Sequence, residues 1–335
     1  MKQNRGDFFR KYAIVLVLVA LCVLFTILEP AFVGVDNIMQ ILRNISISGI
    51  VAIGMAFCLI AGGLDLSVGT TQGFAVIVVA VSVLNFGIPV PVAVLLAIAC
   101  GVGIGLVNGV VINELNVPPL IATLATMEAF RGVIYVVTEA KPIFGFDESF
   151  TLVGQGTIGV IPIPVIIFAA VFALGWLFLN RTTIGRYFYG VGSNDEVARL
   201  SGVNVKKIKY LVYALAGLLA AFSGVILVSR LNSGQPRVGI GLEFEVITAV
   251  VLGGVSIAGG EGKLSGVLFG ILIMGVLKNG LILTGVTEYY QMIITGVVLI
   301  AAVGFDATSQ KRRQSKANIS IDELKHRGKT AKTTE

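Results

Sequence analysis

Residues Ile163–Arg230 read IPVIIFAAVFALGWLFLNRTTIGRYFYGVGSNDEVARLSGVNVKKIKYLVYALAGLLAAFSGVILVSR. An apolar run gives way to a polar stretch carrying Arg181, Arg186, Arg199, Lys206, Lys207 and Lys209, and a second apolar run follows. Each run approaches the roughly 20 apolar residues needed to cross the hydrocarbon core of a bilayer. The runs are apolar all round rather than alternating, which suits helices and not barrel strands. A helix satisfies its own backbone hydrogen bonds in lipid, so the pattern speaks to fold as well as to solubility.

The same alternation recurs outward from this stretch. Candidate spans lie near 12–28, 45–62, 67–85, 89–113, 116–138 and 163–180 before the basic stretch, and near 210–230, 243–260, 264–284 and 288–305 after it. The expected fold is all-α, a polytopic membrane helical bundle of about ten transmembrane helices. The range is eight to ten, because Gly62, Gly63, Asp65 and Gly69 interrupt the second and third runs and leave room for a re-entrant piece. Composition agrees: with 56% hydrophobic and 13% charged residues, a soluble fold of 335 residues could not hide its apolar surface.

Basic residues then test the topology, because short cytoplasmic loops are enriched in Lys and Arg. Ten spans put the amino terminus, the 181–209 loop and the tail with Lys311, Arg312 and Arg313 in the cytoplasm. Outer loops keep only Arg43, Lys141 and Arg237, with Arg230 near a span end. The expected division is a cytoplasmic terminus at 1–11, a membrane domain at 12–305 and a polar cytoplasmic tail at 306–335. Arg5, Arg10 and Lys11 before the first run resemble a signal peptide, but the run is long for one and no small-residue cleavage site follows, so it reads as a retained span. This topology accounts for the net charge of +6 without nucleic acid. Cys22, Cys58 and Cys100 lie in apolar runs at no metal-ligand spacing, and the single histidine, His326, lies in the tail.

Gly101, Gly105 and Gly109, and again Gly266 and Gly270, have the small-xxx-small spacing that lets helices approach closely. Glycine is also simply common in membrane helices, and spacing alone leaves both readings open. Within the basic loop, Ser193–Gly202 reads as a short helix: Ser193 or Asn194 caps it, Asp195 and Glu196 occupy its first turn, and Gly202 ends it. Such a helix is either an inert connector or a dock for a cytoplasmic motor.

Four ordered stretches carry a specific resemblance. TTIGRYFYGVGSNDEVARLSGVNVKKIK from Thr182, AGGLDLSVGT from Ala61, RLNSGQPRVGIGLEFEVITAVVLGGVSIAGGEGKLSG from Arg230 and NGLILTGVTEYYQMI from Asn279 are similar to the ribose-type permease family of ATP-binding cassette importers. With the span pattern, the resemblance covers about Phe25 to Phe305. It implies an importer permease of the ribose and cobalamin type, working by alternating access. Its implied partners are a tandem-domain cytoplasmic ATPase subunit, an extracytoplasmic sugar-binding protein, membrane lipid and a second permease copy, either identical or a similar chain. It also implies no cofactor in this chain, ATP and Mg being bound by the ATPase.

By the same resemblance the ATPase-coupling loop comprises Arg186, Asn194, Asp195, Glu196, Ala198, Arg199, Ser201 and Gly202. Candidate pathway or gate residues are Gly62, Gly63, Asp65, Ser67, Glu243, Glu245, Gly253 and Gly254. Asp65 and Ser67 read first as a helix-capping turn, a gate role requiring that cap to change partners during the cycle. Glu243 and Glu245 bind sugar hydroxyls, contact the delivering protein, or stand as helix-start charges. Val197 stands where the family usually has alanine, and Phe244, Val246 and Thr248 replace its usual Leu, Ala and Ala, which keeps the sugar open. Ribose leads, with another pentose, a hexose or a cyclic signalling sugar such as autoinducer-2 behind it.

GGEGKLSG at Gly259–Gly266 imitates a P-loop but has Ile257 where the motif needs Gly, and Leu264 where a hydroxyl should bind magnesium. GVGIG at Gly101 lacks the dinucleotide spacing. Inside the spans, Arg131 can pair with Glu128 three residues earlier, while Lys278 has no local acid and snorkels or faces the bundle interior. The competing class is an ion-coupled secondary transporter, which the interrupted second and third runs fit in part. A membrane enzyme lacks any His, Cys or carboxylate constellation of catalytic spacing.

Overall fold

The computed structural model describes residues 5–308, with side chains from residue 14 onward. The expectations for Arg5, Arg10 and Lys11 as charged groups, and for the tail with Lys311, Arg312, Arg313 and His326, lie outside the described residues and side chains. The bundle comprises α1 (Arg5–Leu28), α2 (Val35–Ile60), α3 (Val68–Ala80), α4 (Val90–Asn113), α5 (Pro119–Thr138), α6 (Glu148–Gln155), α7 (Ile163–Arg181), α8 (Thr183–Ser193), α9 (Asp195–Leu200), α10 (Val205–Leu231), α11 (Leu242–Leu252), α12 (Leu264–Leu283) and α13 (Glu288–Thr308). A π-helical turn, Val81–Asn85, prolongs α3. Two pairs of two-residue strands, 143–144 with 233–234 and 157–158 with 161–162, tie down the loops.

Among the described residues, eight helices are long and apolar enough to cross a membrane: α2, α3 with its π turn, α4, α5, α7, α10, α12 and α13. The apolar part of α1, Ile14–Leu28, accompanies them. Their ends follow local chemistry. Prolines occupy the first turn of α4, α5 and α7, where an amide N–H would have no helical partner. Four helices stop in Schellman turns around a left-handed glycine: Gly62 after α2, Gly202 after α9, Gly254 after α11 and Gly285 after α12.

The span expected at 243–260 is not continuous, and this is the main correction to the sequence reading. Helix α11 has 11 residues, about 16 Å of rise against a hydrocarbon core of about 30 Å. The remaining depth is crossed by irregular backbone running back along α3. Gly234 packs against Ala80, Val238 against Gly73, and Gly239 against Gly69. Irregular backbone at membrane depth persists only when protein or a water-filled cavity surrounds it. Arg131 of α5 meets part of that need by donating to the Val238 carbonyl at 2.9 Å. The expected Arg131–Glu128 ion pair does not form; the guanidinium serves the broken pass instead.

Helix α10 is the axis, packed on α2, α3 and α4. All five spaced glycines prove to be close-approach positions. Gly101, Gly105 and Gly109 face Gly217, Tyr213 and Tyr210 along α10, and Gly266 and Gly270 face Gly253 and Ala249 along α11. Buried polar groups are tied across the same seams: Gln72 donates to Ser223 at 2.8 Å, and Ser223 donates to the Ile47 carbonyl at 2.7 Å.

Candidate functional site

The loop between α7 and α10 holds two helices where the sequence reading had one. Thr182 caps α8 by accepting from the Gly185 amide at 3.0 Å. Helix α8 turns its apolar side inward, burying Phe188 edge-on against Phe57 and Phe178. Helix α9 follows at once. Asn194 caps it, accepting from the Val197 amide at 3.0 Å, while the Ser193 hydroxyl donates back to Tyr189. Ala198 is buried, whereas Arg186, Asp195, Glu196, Arg199, Ser201 and Gly202 are exposed. Arg199 pairs with Glu196 at 2.6 Å, and Lys209 of α10 pairs with Asp195. Both pairs lie at the surface, where ion pairs contribute little to stability. Val197 is 58% exposed and Leu200 78%, so α9 presents an apolar ridge bordered by charge, the composition of a docking surface.

Behind α9 the chain is held by backbone contacts. Gly192, two residues before the Asn194 cap, lies so close to the Ile60 carbonyl at the end of α2 that no Cβ fits. Gly259 packs on Gly62, and the Gly260 amide donates to the same Ile60 carbonyl at 2.9 Å. Tyr189 adds a bond to the Gly262 carbonyl at 2.9 Å. Gly259, Gly260 and Gly262 all have positive φ. That backbone is the physical reason for the glycines of the P-loop look-alike: they let the loop after α11 reach α2 and α8.

The turn between α2 and α3 is a buried polar knot. One Asp65 carboxylate oxygen accepts from the Ser67 amide at 2.9 Å, the Ser67 hydroxyl at 2.6 Å and the Asn108 amide at 3.4 Å. Asn108 of α4 also donates to the Ser67 hydroxyl at 2.9 Å. Burial pushes the Asp65 carboxyl up to about 6, with the Ser67 and Asn108 hydrogen bonds pulling the other way. The capping reading therefore holds in modified form: Asp65 makes an Asx-type turn leading into α3. Gly63 lies against the Tyr213 hydroxyl of α10.

The first turn of α11 separates its two carboxylates. Glu243 is 4% exposed and lies over Gly69 at the start of α3, with one carboxylate oxygen lacking a hydrogen-bond partner. Glu245 turns to α12 and accepts from Lys278 at 2.6 Å, so Lys278 does have an acid, 33 residues away in sequence. Gly253 packs on Gly266, and Gly254 ends α11. The expected gate residues are not brought to one place: Glu243 lies over Gly69 of α3, Gly62 packs on Gly259 of the loop after α11, Gly63 lies against Tyr213, and Gly253 packs on Gly266, while Asp65 and Ser67 are tied to each other and to Asn108. Sequence reasoning missed Gly192, Gly260, Asn108 and the Arg131–Val238 bond. The glycine doublet at 259–260 was the visible signal for the junction, and the bond to a backbone carbonyl left no signal.

Comparison with known proteins places this geometry. The family model described as branched-chain amino acid transport system / permease component matches residues 37–303. The chain is 45% identical over 300 residues to the ribose import permease protein RbsC of Escherichia coli strain K12, covering 88% of this chain and 93% of that one. It is 42% identical over 288 residues to RbsC of Bacillus subtilis strain 168, covering 85% and 89%. To the L-arabinose transport system permease protein AraH of Escherichia coli strain K12 it is 41% identical over 310 residues, covering 92% and 94%. No solved structure matches the chain.

Proposed function

This chain belongs to the permease-component family, and within it to the ribose-type sugar permeases of ATP-binding cassette importers; on that footing we propose that it passes ribose or a closely related monosaccharide by alternating access. It is the membrane subunit of a sugar importer, a multi-pass protein of the bacterial inner membrane that works with an ATPase and a substrate-binding protein. Beyond that, the reading gives it two copies around one pathway, termini on the cytoplasmic side, and a tandem-domain ATPase that holds ATP and Mg. The basic 181–209 loop supports that orientation, because it is the most Lys- and Arg-rich connection between spans.

One observation carries the mechanism: α9 is joined through Gly192 to the end of α2 and to the loop after α11 with no side chain between. The ATPase docks on the Val197 and Leu200 ridge. Closure of the ATPase shifts α9, and the shift reaches the Gly62–Ser67 turn and the end of α11 together. The ATPase drives the switch only as far as it binds one state better than the other.

The test is co-purification with the partner ATPase, and ATP-driven ribose uptake in proteoliposomes, for Val197→Asp/Leu200→Asp and for Glu196→Arg. Loss of association from a permease that stays monodisperse supports the dock, and unchanged coupling refutes it. Ribose uptake that follows an ion gradient without any ATPase would overturn the class and favour the secondary transporter.

A further inference from the structure

Helix α5 carries Glu128 at its midpoint, nine residues from Pro119 and ten from Thr138, and the side chain is exposed on the surface of the single chain. A carboxylate at the centre of a span is costly against lipid, and such groups face a bundle interior or a water-filled cavity. The face around it is open and narrow. Ala125, Ala129 and Gly132 are exposed, and a Cβ at Gly132 would touch nothing within 4 Å. Among the described residues no ion pair includes Glu128.

A second, independent observation lies behind this face. Arg131 is committed to the Val238 carbonyl of the broken pass and remains within electrostatic reach of both Glu128 and Glu243. Glu243, almost fully buried, keeps one carboxylate oxygen with no partner. A buried acceptor without a donor is expensive unless something arrives to fill it. Arg131, fixed on the Val238 carbonyl, thus links by charge the exposed Glu128 of α5 to the buried Glu243, whose free oxygen lies over Gly69 at the start of α3. An ionised carboxylate only accepts hydrogen bonds, and its two oxygens suit adjacent hydroxyl donors.

We infer that the Glu128 face of α5 lines the translocation pathway, and that Glu128 and the free oxygen of Glu243, flanked by Arg131, form a transient contact site for the adjacent hydroxyls of the passing sugar. The inference rests on the importer reading above and names the substrate-contacting groups of that pathway. In a complex with two copies each chain contributes one such site, and the exposed Glu128 faces aqueous pathway rather than lipid.

The test has two parts, both on the complete complex in proteoliposomes. In the first, Glu128→Cys is introduced into a chain with Cys22, Cys58 and Cys100 replaced by Ala, and a charged, membrane-impermeant thiol reagent is applied with and without ATP. Labelling whose rate changes with ATP is expected; a thiol that never labels, while an exposed-loop control at Glu139→Cys does, places residue 128 against lipid and overturns the inference. In the second, Glu128→Gln and Glu243→Gln are assayed for uptake of D-ribose and of L-arabinose. About a tenfold fall for the better sugar is expected, the loss of one charge-assisted hydrogen bond, with a changed ratio between the two sugars. Equal loss for both sugars, or none, means the carboxylates do not contact substrate and refutes the site. A parent complex that takes up neither sugar with ATP counts against the importer reading, and the labelling result still decides whether residue 128 faces water.

Discussion

Two glycines on one helix make opposite predictions. Gly190 and Gly192 both lie in the last turns of α8, but a Cβ at 190 meets nothing within 4 Å, whereas a Cβ at 192 would sit 2.6 Å from the Gly260 nitrogen and closer still to the Ile60 oxygen. Restoring ordinary contact requires a backbone shift of about 1 Å. Forcing that shift on packed backbone costs about 1–3 kcal/mol. Losing the Gly260 N–H bond to Ile60 adds about 1 kcal/mol. The gain in helix propensity offsets only about 0.5–1 kcal/mol. Gly192→Ala is thus expected to destabilise by about 2–3 kcal/mol, and Gly190→Ala to be neutral or slightly stabilising. The comparison is the apparent Tm of each purified variant in one detergent, paired with ribose transported per ATP hydrolysed. The Val197 and Leu200 ridge is untouched, so Gly192→Ala should still bind the ATPase while transporting less per ATP. Equal Tm and equal coupling for the two variants would show that the junction is neither tight nor part of the transmission.

The Asp65 knot predicts a pH effect. Folding raises this carboxyl from its ordinary 3.8 to about 6, so its contribution to stability is fully present below the ordinary value and is lost as pH rises through 6. At pH 7 the ionised form costs the fold about 3 kcal/mol. Asp65→Asn keeps the acceptor for Ser67 and Asn108 and removes the ionisation; its apparent Tm should exceed the parent's at pH 7.5 and match it near pH 4, and a parallel pair of profiles would contradict the assignment. At the start of α9, Asn194→Ala should cost about 1 kcal/mol of local stability, seen as roughly fivefold faster amide exchange in residues 195–200, while Ser193→Ala should leave exchange there unchanged. Equal effects would move the cap back to Ser193.

Most of the fold was legible because lipid imposes long apolar runs, and nine of the ten expected spans correspond to helices, eight at nearly the expected places and the second, α2, starting ten residues before the expected 45. The eighth escaped because hydropathy continues through Val255–Ala258 after the helix has stopped; the stop is set by a left-handed Gly254, which composition does not mark. Helix α8 escaped because it has 11 residues and a polar outer side, although Ile184, Phe188 and Val191 already had helical spacing. At the site, the Asn194–Gly202 helix and its C-terminal glycine were readable from capping chemistry. The partners of Arg131 and Lys278 were not, since one is a backbone carbonyl and the other lies on a distant helix.

The broken eighth pass also constrains how the chain enters the membrane as it is made. Insertion machinery sorts a segment by its continuous apolar length, and an 11-residue helix behind a Gly- and Pro-containing irregular stretch falls short of that threshold. The segment from 232 to 263 is therefore a dependent passenger. It settles only when α12 is present to meet Ala249 and Gly253 through Gly270 and Gly266. Until α12 is made, Ala249 and Gly253 lack the Gly270 and Gly266 backbone they pack on, so the order of synthesis places completion of the eighth pass after the ninth span.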